Sequence, residues 1–162
     1  MVKLELRFYY CISLSGVLKW VQMMVSTIVV GLVLWEVVKT RDTEASHLFD
    51  GETFTCVTGV FTFITVFMLL IVYFCNCHND CPCKCHCRFI ATVVYTLLVI
   101  MWIAAAGVEV WLSVDIREQK KEGKLNDITK HQYNRRPAAA AFCFMNILCC
   151  GASLYLAKFK DK

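Results

Sequence analysis

Charge is scarce in this 162-residue chain, and its gaps are long. Only 19% of residues are Asp, Glu, Lys or Arg, and none lies between Trp20 and Trp35, between Phe54 and Cys75, between Phe89 and Val108, or between Pro137 and Ala157. Proline occurs only twice, 58% of residues are hydrophobic and mean hydropathy is positive, which excludes an ordinary soluble domain of this size. There is no Gly-rich phosphate loop, no zinc-protease motif and no histidine beside a plausible nucleophile. Enzymatic chemistry, a cofactor and a nucleic-acid partner are therefore not expected.

What is present is apolar length. A spanning helix needs about 20 apolar residues to cross roughly 30 Å of hydrocarbon. Four segments meet that requirement, at about 14–38, 54–75, 89–113 and 137–157. They predict an all-α fold, an integral membrane four-helix bundle of antiparallel up-down order with short loops, in a single domain over 1–162. The first segment is too long for a cleavable signal peptide and has no small-residue cleavage site after it. Trp20, Tyr73 and Tyr155 at one side and Trp35, Trp111 and Tyr133 at the other suit interfacial aromatic belts.

Basic residues do not set the orientation. With both termini cytosolic, the inner side carries eight basic residues and the outer side nine, nearly a tie under the positive-inside rule. Cysteine placement favours cytosolic termini. Neither outer connector, 39–53 or 114–136, contains one, whereas the inner connector 75–88 is dense in them. The outer stretch 117–136 reads as a solvated connector of mixed charge, with contact to a partner across the intercellular gap as the alternative.

Helix faces follow from spacing. Ser15, Lys19, Gln22, Ser26 and Glu36 share one stripe of the first segment, and Thr55, Thr58, Thr62 and Thr65 one stripe of the second. Both stripes are expected to face other helices. Ala105 in "AAAG" and Ala139 in "AAAA" allow close backbone approach between the third and fourth segments, and Asn146 offers an interhelical hydrogen bond. Lys19 is expected to snorkel from the inner end, while Glu36 and Glu109 near the outer end would be neutralised by Lys39 or Arg117. No ionisable group falls at the bilayer centre, which disfavours an ion pathway.

Three stretches carry a family likeness: "SLSGVLKWVQMMVSTIVVGLV" at 13–33, "YTLLVIMWIAAAGVEVW" at 95–111 and "RRPAAAAFCFMNILCCGASLYLA" at 135–157. They resemble the MARVEL-domain proteins, compact M-shaped four-span membrane proteins of the chemokine-like-factor, myelin-and-lymphocyte and singles-bar types. The small insect septate-junction tetraspans are similar in size. Claudins differ, because the loop "TRDTEASHLFDGE" lacks their tryptophan and cysteine pair. The resemblance implies membrane organisation in vesicle trafficking, membrane apposition or fusion, or cell-junction assembly. The expected partners are the lipid bilayer and other membrane proteins, including further copies of the chain. The polar stripes motivate an alternative, an accessory subunit of a channel or transporter.

The densest chemistry lies in "CNCHNDCPCKCHC" at 75–87. Cys75, Cys77, Cys81, Cys83, Cys85 and Cys87, beside helix ends on the cytosolic face, are candidate sites of reversible S-palmitoylation. Cys81, Cys83, Cys85 and Cys87 with His78 and His86 also supply soft metal ligands, although not at zinc-finger spacing. An inert cysteine-rich turn is the third reading. Acyl-exchange labelling of the membrane-bound protein is expected to find hydroxylamine-sensitive thioesters in 75–87; their absence would remove the lipid reading.

Overall fold

The computed structural model describes residues 13–40, 46–74, 84–121 and 127–159, with side chains for 13–35, 51–74, 89–118 and 135–158. All described elements are helical: α1 Leu14–Thr40, α2 Ser46–Phe74, α3 Lys84–Lys121 and α4 Asp127–Phe159. Ser13 starts α1, because its hydroxyl accepts the Gly16 N–H at 3.3 Å and its carbonyl accepts the Val17 N–H at 2.9 Å. Lys158 sits in the last turn of α4, where a cation complements the helix dipole.

The apolar spans are Leu14–Trp35, Gly51–Phe74, Phe89–Glu118 and Arg135–Lys158. The shortest has 22 residues. At 1.5 Å per residue that is about 33 Å, enough to cross the hydrocarbon layer. The chain is thus a multi-pass, all-helical membrane protein.

The helices run further than hydropathy alone predicts. Much of 39–53 and 114–136, expected as loops, is helical: α2 begins at Ser46, α3 continues to Lys121 and α4 begins at Asp127. Hydropathy marks where lipid ends, not where hydrogen bonding ends, and the polar tail of α3 is rich in the good helix formers Arg, Glu, Gln and Lys. Pro137 does not start α4 but lies inside it. Proline removes one backbone N–H, and here it does so where α4 enters its span.

Each helix packs against two others, in the ring α1–α2–α3–α4 closing back on α1. The α3–α4 contact is the most extensive and α2–α3 the least. Ala105 and Ala106 of α3 and Ala139 and Ala140 of α4 are all buried, and small side chains let helix backbones approach closely. Around them sits an apolar core of Val29, Val33, Val66, Leu98 and Trp102. The opposite faces are covered with exposed apolar side chains such as Met24, Ile64, Ile100 and Leu148, as lipid requires.

The α1–α2 contact depends on one glycine. A Cβ on Gly59 would lie 2.5 Å from Val30 Cγ2 and 3.4 Å from the Ser26 carbonyl oxygen. Valine in a helix has essentially one rotamer, so it has little freedom to turn aside. Gly31, by contrast, has nothing within 4 Å of such an atom. G59A is expected to destabilise the bundle by about 1–3 kcal/mol, while G31A leaves it near neutral. Unfolding of both variants in mixed micelles, read by circular dichroism, checks this; equal stabilities would contradict the packing.

Candidate functional site

The interior of the bundle is apolar in its middle and polar along its seams. Gln22, Ser26, Thr55, Thr58, Thr62 and Asn146 are wholly buried, and Lys19, Glu52, Glu109, Arg136 and Ser153 nearly so. In hydrocarbon these groups have no bulk water to turn to, so each must find a partner inside the bundle or carry a cost of order kcal/mol.

At the end where α1 begins and α4 finishes, the cation of Lys19 is held inside the bundle. Its Nζ donates to Ser15 Oγ at 3.0 Å and lies 4.9 Å from the centre of the Tyr73 ring and 6.0 Å from that of Tyr95. Two electron-rich ring faces replace much of the lost hydration. The expectation that Lys19 snorkels outward is therefore corrected, and Tyr73 is a roof over this cation rather than a belt residue. Trp20, Tyr155, Trp35 and Trp111 do face outward. Tyr133 lies outside the residues with described side chains.

Midway, the threonine stripe of α2 meets the largest buried side chain. Trp102 Nε1–H donates to Thr62 Oγ at 3.0 Å, and the Thr62 hydroxyl donates to the Thr58 carbonyl at 2.8 Å. One hydroxyl thus ties α3 to the backbone of α2. Between α1 and α4, Gln22 Nε2–H donates to Ser153 Oγ at 3.1 Å and Asn146 Nδ2–H to Ser26 Oγ at 3.3 Å. Thr65 is half-buried.

At the opposite end three ionisable side chains, Glu52, Glu109 and Arg136, are buried. Arg136 of α4 donates through Nη2 to Glu52 Oε1 of α2, forming an ion pair. Glu109 of α3 lies within electrostatic reach of both Arg136 and Glu52, while the Thr55 hydroxyl donates to the Gly51 carbonyl at 3.3 Å. One guanidinium therefore bonds a carboxylate of α2 and lies within electrostatic reach of an acidic group on α3. This corrects the expected neutralisation of Glu109 by Arg117, which is exposed. Glu36 and Lys39 lie outside the residues with described side chains. Arg135, next to the buried arginine, stacks 5.1 Å from the Trp35 ring centre.

The arginine cluster was missed because Glu52 and Arg136 fall in stretches that hydropathy assigns to loops. A signal was nonetheless present. Glu52 continues the Thr55, Thr58, Thr62 stripe by one turn, and Arg136 continues the buried Ala140, Cys143, Asn146 and Cys150 face.

The cysteine-rich stretch lies mostly outside this picture. Cys75, Cys77, His78, Cys81 and Cys83 are outside the described residues. Cys85, His86 and Cys87 fall in the first turn of α3, with side chains outside the described set. Because Tyr73 covers Lys19, α2 ends at the same end of the bundle as Leu14. Among the described residues no group of three His, Cys, Asp or Glu could hold a metal ion, and Cys56, Cys143, Cys149 and Cys150 are free thiols.

Set beside known proteins, residues 10–156 match the MARVEL family, a membrane-associating domain. The chain belongs to the MARVEL family. No curated protein matches it individually. MARVEL proteins organise membranes in trafficking and at junctions, and they are not enzymes. Among the described residues, Gln22 with Ser153, Asn146 with Ser26, Trp102 with Thr62 and Arg136 with Glu52 each join two different helices.

The Trp102–Thr62 bond gives a direct check. T62V keeps the shape but leaves the buried indole N–H without its acceptor, and is expected to cost about 1–2 kcal/mol, whereas T62S retains the bond and most of the stability. Unfolding in lipid-like micelles measures both; equal losses in the two variants would contradict the bond.

Proposed function

We propose that this MARVEL-family chain is a non-enzymatic organiser of membranes, acting in vesicle trafficking, membrane apposition or fusion, or assembly of cell junctions. The observation that carries this reading is the family match over residues 10–156, on a bundle whose buried polar side chains mostly bond helix to helix. Both termini face the cytosol, so α2 and α3 meet the inner surface at the cysteine-rich connector. The cysteines of 75–87 then acquire acyl chains, which hold that connector against the inner leaflet. One chain contributes on the order of 10 kcal/mol at about 0.8 kcal/mol per buried methylene, far more than a four-span protein needs for anchoring. Its use is sorting and local restraint.

Partners are other membrane proteins, including further copies of the chain, met through the exposed apolar faces and through the outer helical ends on either side of residues 122–126. Any scan of this outer region must stop before Arg135 and Arg136, since Arg136 is buried in the bundle. The second reading, an accessory subunit of a channel or transporter, draws on the same buried charges. It is weakened by Val29, Val66, Leu98 and Trp102, which fill the middle of the bundle with apolar atoms.

Imaging of the protein tagged at its C-terminus is expected to show enrichment at cell contacts or on vesicles, lost when residues 117–134 are replaced in alanine blocks. Unchanged placement in every block would exclude the outer ends as the contact. Co-purification with a pore-forming protein, with altered currents on knockdown, would replace the organiser reading with the accessory-subunit one.

A further inference from the structure

The seam that closes the ring, between α1 and α4, carries two amides in succession. Gln22 bonds Ser153 and Asn146 bonds Ser26. Gln22 and Ser26 are one turn apart on α1, and Asn146 and Ser153 are two turns apart on α4, so both bonds lie in one strip. Each bond uses only half of its amide. The other halves, Gln22 Oε1 and Asn146 Oδ1, are buried with no hydrogen-bond partner among the described residues. Rotating either amide by half a turn would exchange oxygen for NH2 and leave the same deficit, because one serine hydroxyl satisfies only one end.

Two unbonded amide ends in one strip are costly to bury, and lipid supplies nothing to relieve them. The remaining neighbours along α4 on this face, Cys143 and Cys150, are at best weak donors. The charged groups that would attract a metal ion to amide oxygens, Glu52 and Glu109, sit with Arg136 at the opposite end of the bundle. A small neutral donor fits the deficit. Buried water characteristically makes about three hydrogen bonds to polar groups that would otherwise have none.

We propose that the α1–α4 seam is a water-binding site, in which ordered water donates to Gln22 Oε1 and Asn146 Oδ1 and so completes both amide pairs. Val29 and Leu98 belong to the adjoining core and carry no polar side-chain atom of their own. The seam joining the first and last helices is thereby wet, while the alanine-packed α3–α4 seam is closed by direct contact.

Solid-state NMR on the full chain in lipid bilayers tests this, using magnetisation transfer from water to the side-chain amides of labelled Gln22 and Asn146. Each signal is assigned through its own backbone correlations. Both side-chain amides are expected to build up several-fold faster than the backbone amides of Val29 and Leu98. Build-up at either side-chain amide as slow as at those two valine and leucine positions would overturn the proposal.

Discussion

A buried guanidinium sets the terms for one end of this bundle. Arg136 is 1% exposed, and a cation that deep in a low-dielectric environment is tolerated only if countercharge is built around it. Glu52 from α2 supplies the direct contact, and Glu109 from α3 is a second acidic group within electrostatic reach. Three helices are thus held at one depth by groups that have no acceptable alternative. Removing one partner of such a pair leaves an uncompensated charge, at a cost of about 3–5 kcal/mol. Replacing all of the charges by well-packed apolar groups need not cost anything, so the cluster specifies an arrangement more than it adds stability.

The rest of the interior follows the same logic with weaker groups. Apolar attraction between helices is faint in lipid, where tails compete equally with side chains. Close packing and polar pairing must therefore choose the neighbours. Alanine does so for α3 and α4, Gly59 for α1 and α2, the indole of Trp102 for α2 and α3, and the two amides for α1 and α4. Lys19 under its tyrosine roof mirrors the arginine cluster at the other end. Every seam of the ring has its own device, and each device lies on a different pair of helices.

The sequence made some of this readable and hid the rest for a physical reason. The four spans are legible because lipid demands long uncharged runs, and the Gln22–Ser26 and Thr55–Thr62 stripes are legible because helical spacing puts them on one face. Lys19, Gln22, Ser26, Thr55, Thr58 and Thr62 are buried, while Ser15 and Thr65 on the same stripes are half-buried. Glu52 and Arg136 were obscured because hydropathy treats charge as a sign of water, whereas here opposite charges from distant parts of the chain neutralise one another. Lys19 was misread for a related reason: snorkelling is the cheap option for a lone lysine, but Tyr73 and Tyr95, more than fifty residues away in sequence, make an inward position acceptable. The ends of the helices were underestimated because polar residues stop a span without stopping a helix.

If Arg136 organises its end of the bundle through Glu52, the two residues must be energetically coupled. The direct measurement is a double-mutant cycle with E52Q, R136M and the double variant, read as unfolding free energies of the full chain in mixed micelles. The account predicts that the double variant is more stable than the sum of the single losses implies, by at least about 1.5 kcal/mol. Losses that simply add, within about 0.5 kcal/mol, would contradict it.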